Sequence, residues 1–207
     1  ILINDGSTDR TSNILKKLKS TKKNIKVVVN SKNMGKSFSE RKGLKLSKYS
    51  FVILIDSDLP YFEVFPKIIN KLKNNYDFVF VNRRHKKSKI KNKKLNFYQL
   101  GRYIIGYLLS VTIRIFLNFN IHGGDTQSGL KGFKRYKDFK KINFISEKFF
   151  LDLEIMFHYN IKNKRFFSVP VSYEVPNKSS IKIFSIVKNL KIISELLLVI
   201  LKLKSIR

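Results

Sequence analysis

The sequence contains no cysteine, which excludes a disulfide framework and any chemistry that depends on a thiolate. Acidic residues are scarce, because 14 Asp and Glu face 43 Lys and Arg and leave a formal net charge of +29. A charge this positive favours anionic partners: nucleic acid, nucleotide diphosphates, lipid phosphates or an acidic membrane surface. Part of the lysine excess also fits a general compositional bias, since surface lysines are usually only solvated.

Repeats and linkers rich in Pro, Gly or Ser are also missing, so nothing in the chain marks a second folded domain. A length of 207 residues and a hydrophobic content of 43% are enough for one domain with a real core. We expect this domain to cover residues 1–178 and an amphipathic helix to cover residues 179–207. The chain begins with Ile1-Leu2-Ile3, which is typical of the inside of a strand, and we expect an N-terminal piece to be absent.

The most informative stretch is 51–58, where an apolar run rich in β-branched residues ends in two carboxylates, Asp56 and Asp58. Such a run predicts a strand buried on both faces, and in open α/β sheets ligands bind outside the carboxyl ends of the strands. Side chains alternate along a strand, so both carboxylates can point the same way. Two hard oxygen ligands suit Mg²⁺ or Mn²⁺ bound to a substrate diphosphate, whereas an acidic strand-end turn is the simpler interpretation of this pair taken alone.

Strands and helices alternate through the first half of the chain. Apolar runs predict strands at 1–3, 25–29, 51–55 and 78–81, and helical periods fall between them. This order is typical of βαβ units and predicts an α/β fold with a mostly parallel sheet flanked by helices. The lysine-rich run at 85–94 is predicted to be a mobile surface loop.

Two long apolar segments follow, at 103–121 and 183–203. The first carries Arg114 and the second is interrupted by lysines, whereas a membrane span needs roughly 20 mostly apolar residues. Both are predicted to be amphipathic helices that lie at a membrane surface without crossing it. The alternative is that both pack on the sheet as core helices.

A series of motifs resembles, in sequence order, those of family-2 glycosyltransferases of the GT-A fold. They lie at 4–9 (NDGSTD), 33–43 (N-x-G-K, then Arg41 and Gly43), 56–59 (DSDL), 82–83 (NR), 125–131 (DTQSGLK) and 150–154 (FLDLE). The set is most similar to the branch that loads a sugar onto a polyprenyl phosphate, such as the dolichyl-phosphate mannose and glucose synthases. Two departures stand out: the opening strand of the family is missing, and Pro60 replaces a metal-contacting Gln of some mannose synthases.

The resemblance implies a Rossmann-like GT-A domain that moves a hexose from a nucleotide-diphosphate sugar to a polyprenyl (dolichyl or undecaprenyl) phosphate, with Mg²⁺ or Mn²⁺ as cofactor. Asp56 and Asp58 would hold the metal, and Arg83 would clamp the donor diphosphate. Asp125 would orient the acceptor or support the metal site, with a structural turn carboxylate as the alternative. Catalysis would thus depend on Asp58, Arg83 and Asp125. The donor pocket would further include Asp5, Gly35, Lys36 and Arg41, with a solvated Lys36 as the equal alternative.

Neighbouring residues of these motifs are expected to matter less. Asp152 and Glu154 fall on different faces of their helix, so at most one can line the pocket and the other is expected in solvent. Alternation along a strand points Asn82 and Arg84 away from Arg83, so we expect both to be less sensitive to mutation.

We expect the protein to work at the cytoplasmic face of a membrane, peripherally bound to anionic lipid, with no nucleic-acid partner. The nearest alternative is a family-2 transferase for a surface polysaccharide or lipopolysaccharide, and another is an inactive paralogue or fragment that keeps the fold. A basic nucleic-acid-binding module is the alternative from a different class. It lacks a helix-turn-helix, zinc or RNA-recognition signature and leaves Asp56 and Asp58 unexplained.

Overall fold

A computed structural model of the chain describes residues 1–118, 125–176 and 186–206, with the backbone alone for 186–189. The strands are β1 (Leu2–Asn4), β2 (Val27–Val29), β3 (Phe51–Ile55), β4 (Phe78–Val81), β5 (Lys89–Ile90), β6 (Leu130–Lys134), β7 (Phe166–Val169) and β8 (Ser172–Tyr173). The helices are α1 (Thr11–Thr21), α2 (Lys36–Leu46), α3 (Phe65–Lys73), α4 (Phe97–Leu117), α5 (Leu151–Ile161) and α6 (Ile186–Ile206). Strands and helices alternate through β4, as the sequence predicts.

The described strands form three sheets. β1 pairs with β2 in parallel, and β5 pairs with β8 in parallel. The largest sheet has the order β3-β6-β4-β7, in which β6 is antiparallel to both of its neighbours and β4 is parallel to β7. The predicted α/β class with flanking helices is confirmed. The pairing is mixed, because three strand pairs are parallel and the two pairs that β6 makes are antiparallel.

Strands β3 and β4 differ in burial although both are continuous apolar runs. All four residues of β4 are buried, since this strand has a neighbour on each side and helices over its faces. In β3 only Val52 is buried, and Phe51 is 43% exposed. Within the described residues β3 pairs with β6 alone. The prediction that β3 is buried on both faces is therefore wrong, whereas β4 is fully buried.

The core has two parts, one on each face of the largest sheet. Alternation along β4 sends Phe78 and Phe80 into the larger cluster and Val79 and Val81 into the smaller one. The larger cluster is packed with aromatic rings: the ring centroid of Phe78 lies 5.7 Å from that of Phe133 and 5.3 Å from that of Tyr159. The smaller cluster is closed by the apolar face of α3. This two-sided packing fixes β4 and the residues that follow it.

The lysine-rich run at 85–94 is more ordered than the sequence suggests. It contains β5, whose residue Lys89 donates its backbone N–H to the carbonyl of Val171 at 3.0 Å. A hydrogen bond of 3.0 Å also joins the Val171 N–H to Ser88 Oγ. The prediction of a mobile loop missed this short strand because two residues are too few to show a period.

Helix α4 is apolar and yet largely exposed. It begins with a capping box, in which Asn96 Oδ1 accepts the N–H of Gln99 and Gln99 Oε1 accepts the N–H of Asn96, both at 2.9 Å. By length and composition, α4 could cross a membrane. Its exposed apolar residues are Phe97, Leu100, Tyr103, Ile104, Ile105, Tyr107, Leu108, Ile115 and Phe116.

Helix α6 has one face in the core and one in solvent. The buried face joins the larger cluster through Leu196, Val199, Ile200 and Leu203. The opposite face exposes Leu190, Ile193, Leu197, Leu198 and Leu201. Core packing and an exposed apolar face thus coexist in one helix. The predicted boundary at 178–179 lies outside the described residues.

Candidate active site

The two carboxylates predicted to bind metal lie where β3 ends. The turn is tied to the sheet because Asp56 donates its N–H to the carbonyl of Gly129 at 2.9 Å. Asp58 is exposed and forms no salt bridge with another described residue. The backbone between them and α3 is unusual, since Leu59 and Tyr61 have φ angles of 50° and 62°. Such left-handed conformations are costly for side-chain-bearing residues and cluster at functional sites.

Gly129 leaves room for this turn. A Cβ atom at Gly129 would lie 2.6 Å from Pro60 Cγ and 2.7 Å from Asp56 Oδ2. Both distances are shorter than van der Waals contact, so the side chain of Asp56 can take its position only beside a glycine. The Gly of the DTQSGLK motif is therefore explained by the close approach of the β3 turn.

Gly129→Ala is expected to lower the free energy of unfolding by about 1–3 kcal/mol, because the added methyl group forces the turn of Asp56 and Pro60 apart. Urea unfolding of both proteins measures this change. Gly101→Ala is the matched control. A Cβ at position 101 meets no atom within 4 Å, and replacing a glycine inside α4 by alanine should not destabilise the helix. Equal effects of the two substitutions would contradict the tight fit at Gly129.

Lys36 lies in the candidate site and is not simply solvated. Its Nζ is 2.7 Å from Asp56 Oδ1, 3.8 Å from Glu40 Oε1 and 3.9 Å from Asp152 Oδ2. Burial alone would lower the pKa of Lys36, but the negative charges of Asp152, Glu40 and Asp56 outweigh it and raise the pKa above its usual value. Lys36 is therefore a fixed positive charge beside the carboxylate of Asp56.

A second lysine extends this charge pattern into the core. Lys131 is 1% exposed, and its Nζ lies 2.5 Å from Oδ2 of the fully buried Asp152. Burial and the nearby charge of Asp152 raise the pKa of Glu40 above its usual value. Positive and negative groups thus alternate from the surface at Asp56, through Lys36, to the buried pair. Sequence reasoning did not assign Lys131 or Glu40 to the site, although a lysine inside an apolar strand is a signal that an acid lies opposite.

The two acids of α5 are both buried. Asp152 is 0% exposed and Glu154 is 1% exposed, so the prediction that one of them is solvated is wrong. Glu154 accepts the N–H groups of Ile145 and Ser146, each at 2.9 Å. Burial raises the pKa of Glu154, and these hydrogen bonds oppose the rise. Asp152 faces the lysines of the site, whereas Glu154 holds a turn.

Arg83 and Asp125, both predicted to be catalytic, bind each other. Nε of Arg83 lies 2.8 Å from Asp125 Oδ2, Nη2 lies 2.7 Å from Oδ1, and the backbone N–H of Arg83 donates to Oδ2 at 2.9 Å. Asp125 is 2% exposed. Burial would raise its pKa, but the charge and hydrogen bonds of Arg83 hold that pKa below its usual value. A donor diphosphate would have to share Arg83 with Asp125. The binding of the donor diphosphate by Arg83 therefore stays a prediction.

The remaining donor-pocket candidates shape the loop before α2. Asp5 accepts hydrogen bonds from Asn30 Nδ2 at 2.8 Å and from the N–H groups of Met34 and Gly35 at 3.0 and 2.8 Å. Burial would raise the pKa of Asp5, yet these bonds lower it. Gly35 has a φ of 104°, which only glycine adopts without strain. Arg41 instead donates to the carbonyl of Phe144 at 2.8 Å.

A divalent metal fits this arrangement only together with a ligand. No group of three or more His, Asp or Glu residues that could hold a metal exists among the described residues. Mg²⁺, however, is commonly bound by one or two carboxylates, with substrate phosphates and water completing its shell. Asp56 and Asp58 supply two such carboxylates, and the salt bridge of Lys36 is to Oδ1 of Asp56. The donor set thus suits a metal that arrives with a diphosphate.

Comparison with known sequences identifies similar proteins. The family described as "Glycosyl transferase family 2" matches residues 1–139. An uncharacterized protein of Methanocaldococcus jannaschii is 30% identical over 138 residues, which are 63% of this chain and 58% of that protein. An uncharacterized glycosyltransferase of Synechocystis is 34% identical over 87 residues, or 41% of this chain and 27% of the relative. The chain thus spans less than two thirds of the length of these curated relatives.

Solved structures of glucosyl-3-phosphoglycerate synthase from Mycobacterium tuberculosis resemble the fold. The complex with Mg²⁺ and UDP has a TM-score of 0.62 at 17% identity, and the alignment covers 96% of this chain and 67% of that one. The complex with Mn²⁺, UDP-glucose and phosphoglyceric acid has a TM-score of 0.61 at 15% identity, with 96% and 67% covered. At such identities the likeness shows the fold alone.

Proposed function

This chain belongs to glycosyl transferase family 2, and from that premise we propose that it moves a hexose from a nucleotide-diphosphate sugar to a polyprenyl phosphate at the cytoplasmic face of a membrane. The observation that carries the acceptor assignment is the contact between the charged end of β4 and the exposed apolar helix α4. The donor assignment rests on the carboxylates and Lys36 at the end of β3.

On the donor side, the site is built to receive a diphosphate. Sugar transfer builds negative charge on the leaving diphosphate, and preorganised positive groups stabilise that charge best. A divalent metal held by Asp56 and Asp58 would act as a Lewis acid on the diphosphate oxygens. Lys36 keeps Asp56 in place through its 2.7 Å contact and adds a positive charge to the same edge. Proteins of similar fold have been solved with UDP and Mg²⁺ and with UDP-glucose and Mn²⁺, which supports a nucleotide-diphosphate sugar with a divalent metal as the donor.

No strong general base is needed if the acceptor is a phosphate. A lipid phosphate is already an anion at neutral pH, so its oxygen can attack without losing a proton to the protein. The geometry of Asp125 agrees with this chemistry, since both of its oxygens are bound by Arg83. We propose that Asp125 holds the acceptor side of the site in shape through Arg83.

On the acceptor side, Arg84 connects the site to the apolar helix. Its guanidinium lies 5.7 Å from the ring centroid of Tyr107, and one of its nitrogens approaches Gly106 so closely that an added Cβ would lie 3.1 Å away. Arg84 thus stands next to the Arg83–Asp125 pair on one side and α4 on the other. A lipid phosphate needs such a junction, with a cation for the phosphate and apolar surface for the chain. We therefore propose that Arg84 binds the acceptor, which departs from the sequence-based prediction that Arg84 matters less than Arg83.

The exposed apolar faces of α4 and α6 support a membrane surface as the place of work. The two helices touch, and Lys204 Nζ of α6 lies 4.9 Å from the ring centroid of Phe116 of α4. Apolar side chains beside lysine are typical of helices that lie among anionic headgroups, where each lysine adds about 1 kcal/mol. The formal charge of +29 favours the same lipid.

Transfer assays with different acceptors test the proposal. Radiolabelled UDP- and GDP-hexoses are offered with polyprenyl phosphate in liposomes, with phosphoglyceric acid, and with soluble glycans. We expect labelled lipid, and no product when EDTA is present. Transfer to phosphoglyceric acid alone would favour a soluble phosphorylated acceptor, which the relatives that bind this acid make the second candidate. Transfer to glycans alone would favour polysaccharide synthesis.

Leu201→Glu is expected to weaken binding to anionic liposomes by about tenfold or more. The substitution removes an exposed apolar side chain of α6 and gives the helix a negative charge, which the anionic lipid repels. Flotation with anionic and neutral liposomes measures the binding, which should require anionic lipid, weaken with salt and be reversed by carbonate. Ile14→Glu on α1 is the matched control, since Ile14 is comparably exposed. Equal losses from both substitutions, or carbonate-resistant binding, would contradict an interfacial α6.

A further inference from the structure

Glu195 of α6 is bound to the turn that precedes α5. Its Oε1 accepts hydrogen bonds from Ser146 Oγ at 2.7 Å and from the N–H groups of Glu147 and Lys148 at 2.9 and 2.8 Å. A fourth N–H, that of Phe149, points to the same oxygen at 3.4 Å. Hydrogen bonds to a carboxylate are shorter and stronger than neutral ones. This single side chain therefore fixes the turn 146–149 to α6.

The other side of that turn holds the start of α2. Ser37 donates its N–H to the carbonyl of Lys148 at 3.0 Å, and Phe38 donates its N–H to the carbonyl of Glu147 at 2.9 Å. These N–H groups belong to the first turn of α2, where a helix has no partners of its own. Nζ of Lys148 donates to the carbonyl of Met34 at 2.9 Å. The turn thus supplies hydrogen bonds on both sides of Gly35 and Lys36.

Side-chain hydroxyls complete the connection inside the fold. Ser146 Oγ lies 3.0 Å from Ser37 Oγ, and both residues are 0% exposed. Ser37 Oγ also accepts the N–H of Leu151, the first residue of α5, at 3.1 Å. A continuous path of hydrogen bonds therefore runs from Glu195 through Ser146 to Ser37, which is the neighbour of Lys36.

Docking of α6 alone does not require this carboxylate. Four leucine, valine and isoleucine side chains of the helix already lie in the core. A carboxylate in a partly buried place costs free energy unless hydrogen bonds compensate it. Glu195 Oε2 is buried and has no hydrogen-bond partner among the described residues. The hydrogen bonds of this carboxylate are therefore those that Oε1 accepts from the turn 146–149. Its specific effect is on the turn 146–149.

We propose that Glu195 is a positioning residue for donor binding. By fixing the turn 146–149, it sets the loop of Gly35 and Lys36, and with that loop the contact between Lys36 and Asp56. The inference rests on the proposed function in one respect, namely that this loop forms part of the donor pocket. Loss of the Glu195 carboxylate lowers affinity for the nucleotide sugar and leaves the chemical step unchanged.

Steady-state kinetics of three variants test this role. Glu195→Ala is expected to raise the KM for the nucleotide sugar by about tenfold, with kcat within about twofold, because positioning of the donor loop acts on binding. Glu195→Gln keeps an acceptor oxygen and should restore most of the affinity. Lys202→Ala is the matched control: it removes another contact of α6, a hydrogen bond of 2.7 Å to the carbonyl of Asn143, which lies outside the turn. An unchanged KM in folded Glu195→Ala, or the same rise in Lys202→Ala, would overturn the proposal.

Amide hydrogen exchange provides a readout that needs no turnover. The N–H groups of Ser37 and Phe38 should exchange faster in Glu195→Ala than in the wild type and should be unaffected in Lys202→Ala. If Glu195→Ala does not fold, Lys148→Met serves instead, since it removes only the bond from an exposed side chain to the Met34 carbonyl. Unchanged exchange in folded Glu195→Ala overturns the role of Glu195. An unchanged KM for the nucleotide sugar in Lys148→Met overturns the connection between the turn and the donor loop on which that role depends. A wild-type protein that transfers no sugar contradicts the proposed function, while the exchange comparison still decides the positioning role.

Discussion

Asp58→Ala is expected to lower the rate of sugar transfer by at least about 100-fold without unfolding the protein. The loss follows from the position of Asp58 at the end of β3, where it would hold the metal that stabilises the leaving diphosphate. Stability should change little, because Asp58 is exposed and forms no salt bridge with another described residue. Transfer assays and thermal unfolding of the same preparations measure the two quantities.

Asp138→Ala is the matched control for Asp58→Ala. Asp138 is a half-exposed carboxylate outside the candidate site, and its pair with Lys141 at 3.0 Å is a surface contact. Its removal should leave the transfer rate unchanged. Full activity of Asp58→Ala, or of the wild type with EDTA present, would refute a metal site at the end of β3.

Arg83→Met is expected to lower the free energy of unfolding by about 3–5 kcal/mol, the cost of leaving a buried carboxylate without its partner. Asp125 is 2% exposed and is held by Arg83 through both side-chain oxygens. Urea unfolding at neutral pH measures the loss. Arg83→Lys keeps the charge but not the two-pronged geometry, so its stability and transfer rate should fall between those of wild type and Arg83→Met.

The pH dependence of the difference in unfolding free energy between wild type and Arg83→Met shows whether the unpaired Asp125 carboxylate causes the loss. The pKa of Asp125 is lowered in the folded protein, so its contribution to stability is present above the unfolded-state pKa of about 3.9 and is lost as the pH falls through the folded-state value. The gap between wild type and Arg83→Met should therefore narrow in acid. Arg84→Met breaks no ion pair within the described part of the chain, so its stability should differ from that of the wild type by a small amount at every pH. A gap for Arg83→Met that is independent of pH would assign the loss to packing.

Much of the framework is predictable from local patterns. The apolar runs predict β3 and β4, and the two carboxylates at 56 and 58 fall at the strand end because the run stops there. The glycines at 129 and 35 are predictable as positions of close backbone approach or of positive φ, since glycine in such motifs usually marks one or the other. The contact between Lys36 and Asp56 could not be predicted from the sequence, because a single lysine beside a glycine does not indicate whether its side chain points into the site or into solvent.

Long-range partners account for what the sequence could not predict. Arg83 and Asp125 are 42 residues apart, and no local pattern shows that two motifs of one site neutralise each other. Glu195 and Ser146 are 49 residues apart, and the helix that carries Glu195 looks like an ordinary amphipathic segment. Asp152 and Glu154 were misassigned for a different reason. Helix α5 is enclosed on every side, so residues on different faces are both buried.

The composition of α5 indicates that both of its acidic residues are buried. A helix that is apolar all round is typical of a position inside the fold, and the segment LDLEIMFHYNI carries no lysine or arginine in a chain that has 43 of them. Both acids of such a helix must then be compensated by hydrogen bonds or by an opposite charge. Glu154 is compensated by N–H groups and Asp152 by Lys131.

The most direct test of the site is Mn²⁺ binding in the presence of a nucleoside diphosphate, followed by electron paramagnetic resonance of the free ion. With UDP or GDP added, the wild-type protein should take up Mn²⁺, because the two carboxylates at the end of β3 complete the metal shell only together with a diphosphate. Uptake should be weak without nucleotide and should be lost in Asp56→Ala and Asp58→Ala, while Asp138→Ala keeps it. Nucleotide-dependent uptake that survives in both Asp56→Ala and Asp58→Ala would place the donor site elsewhere and contradict the assignment.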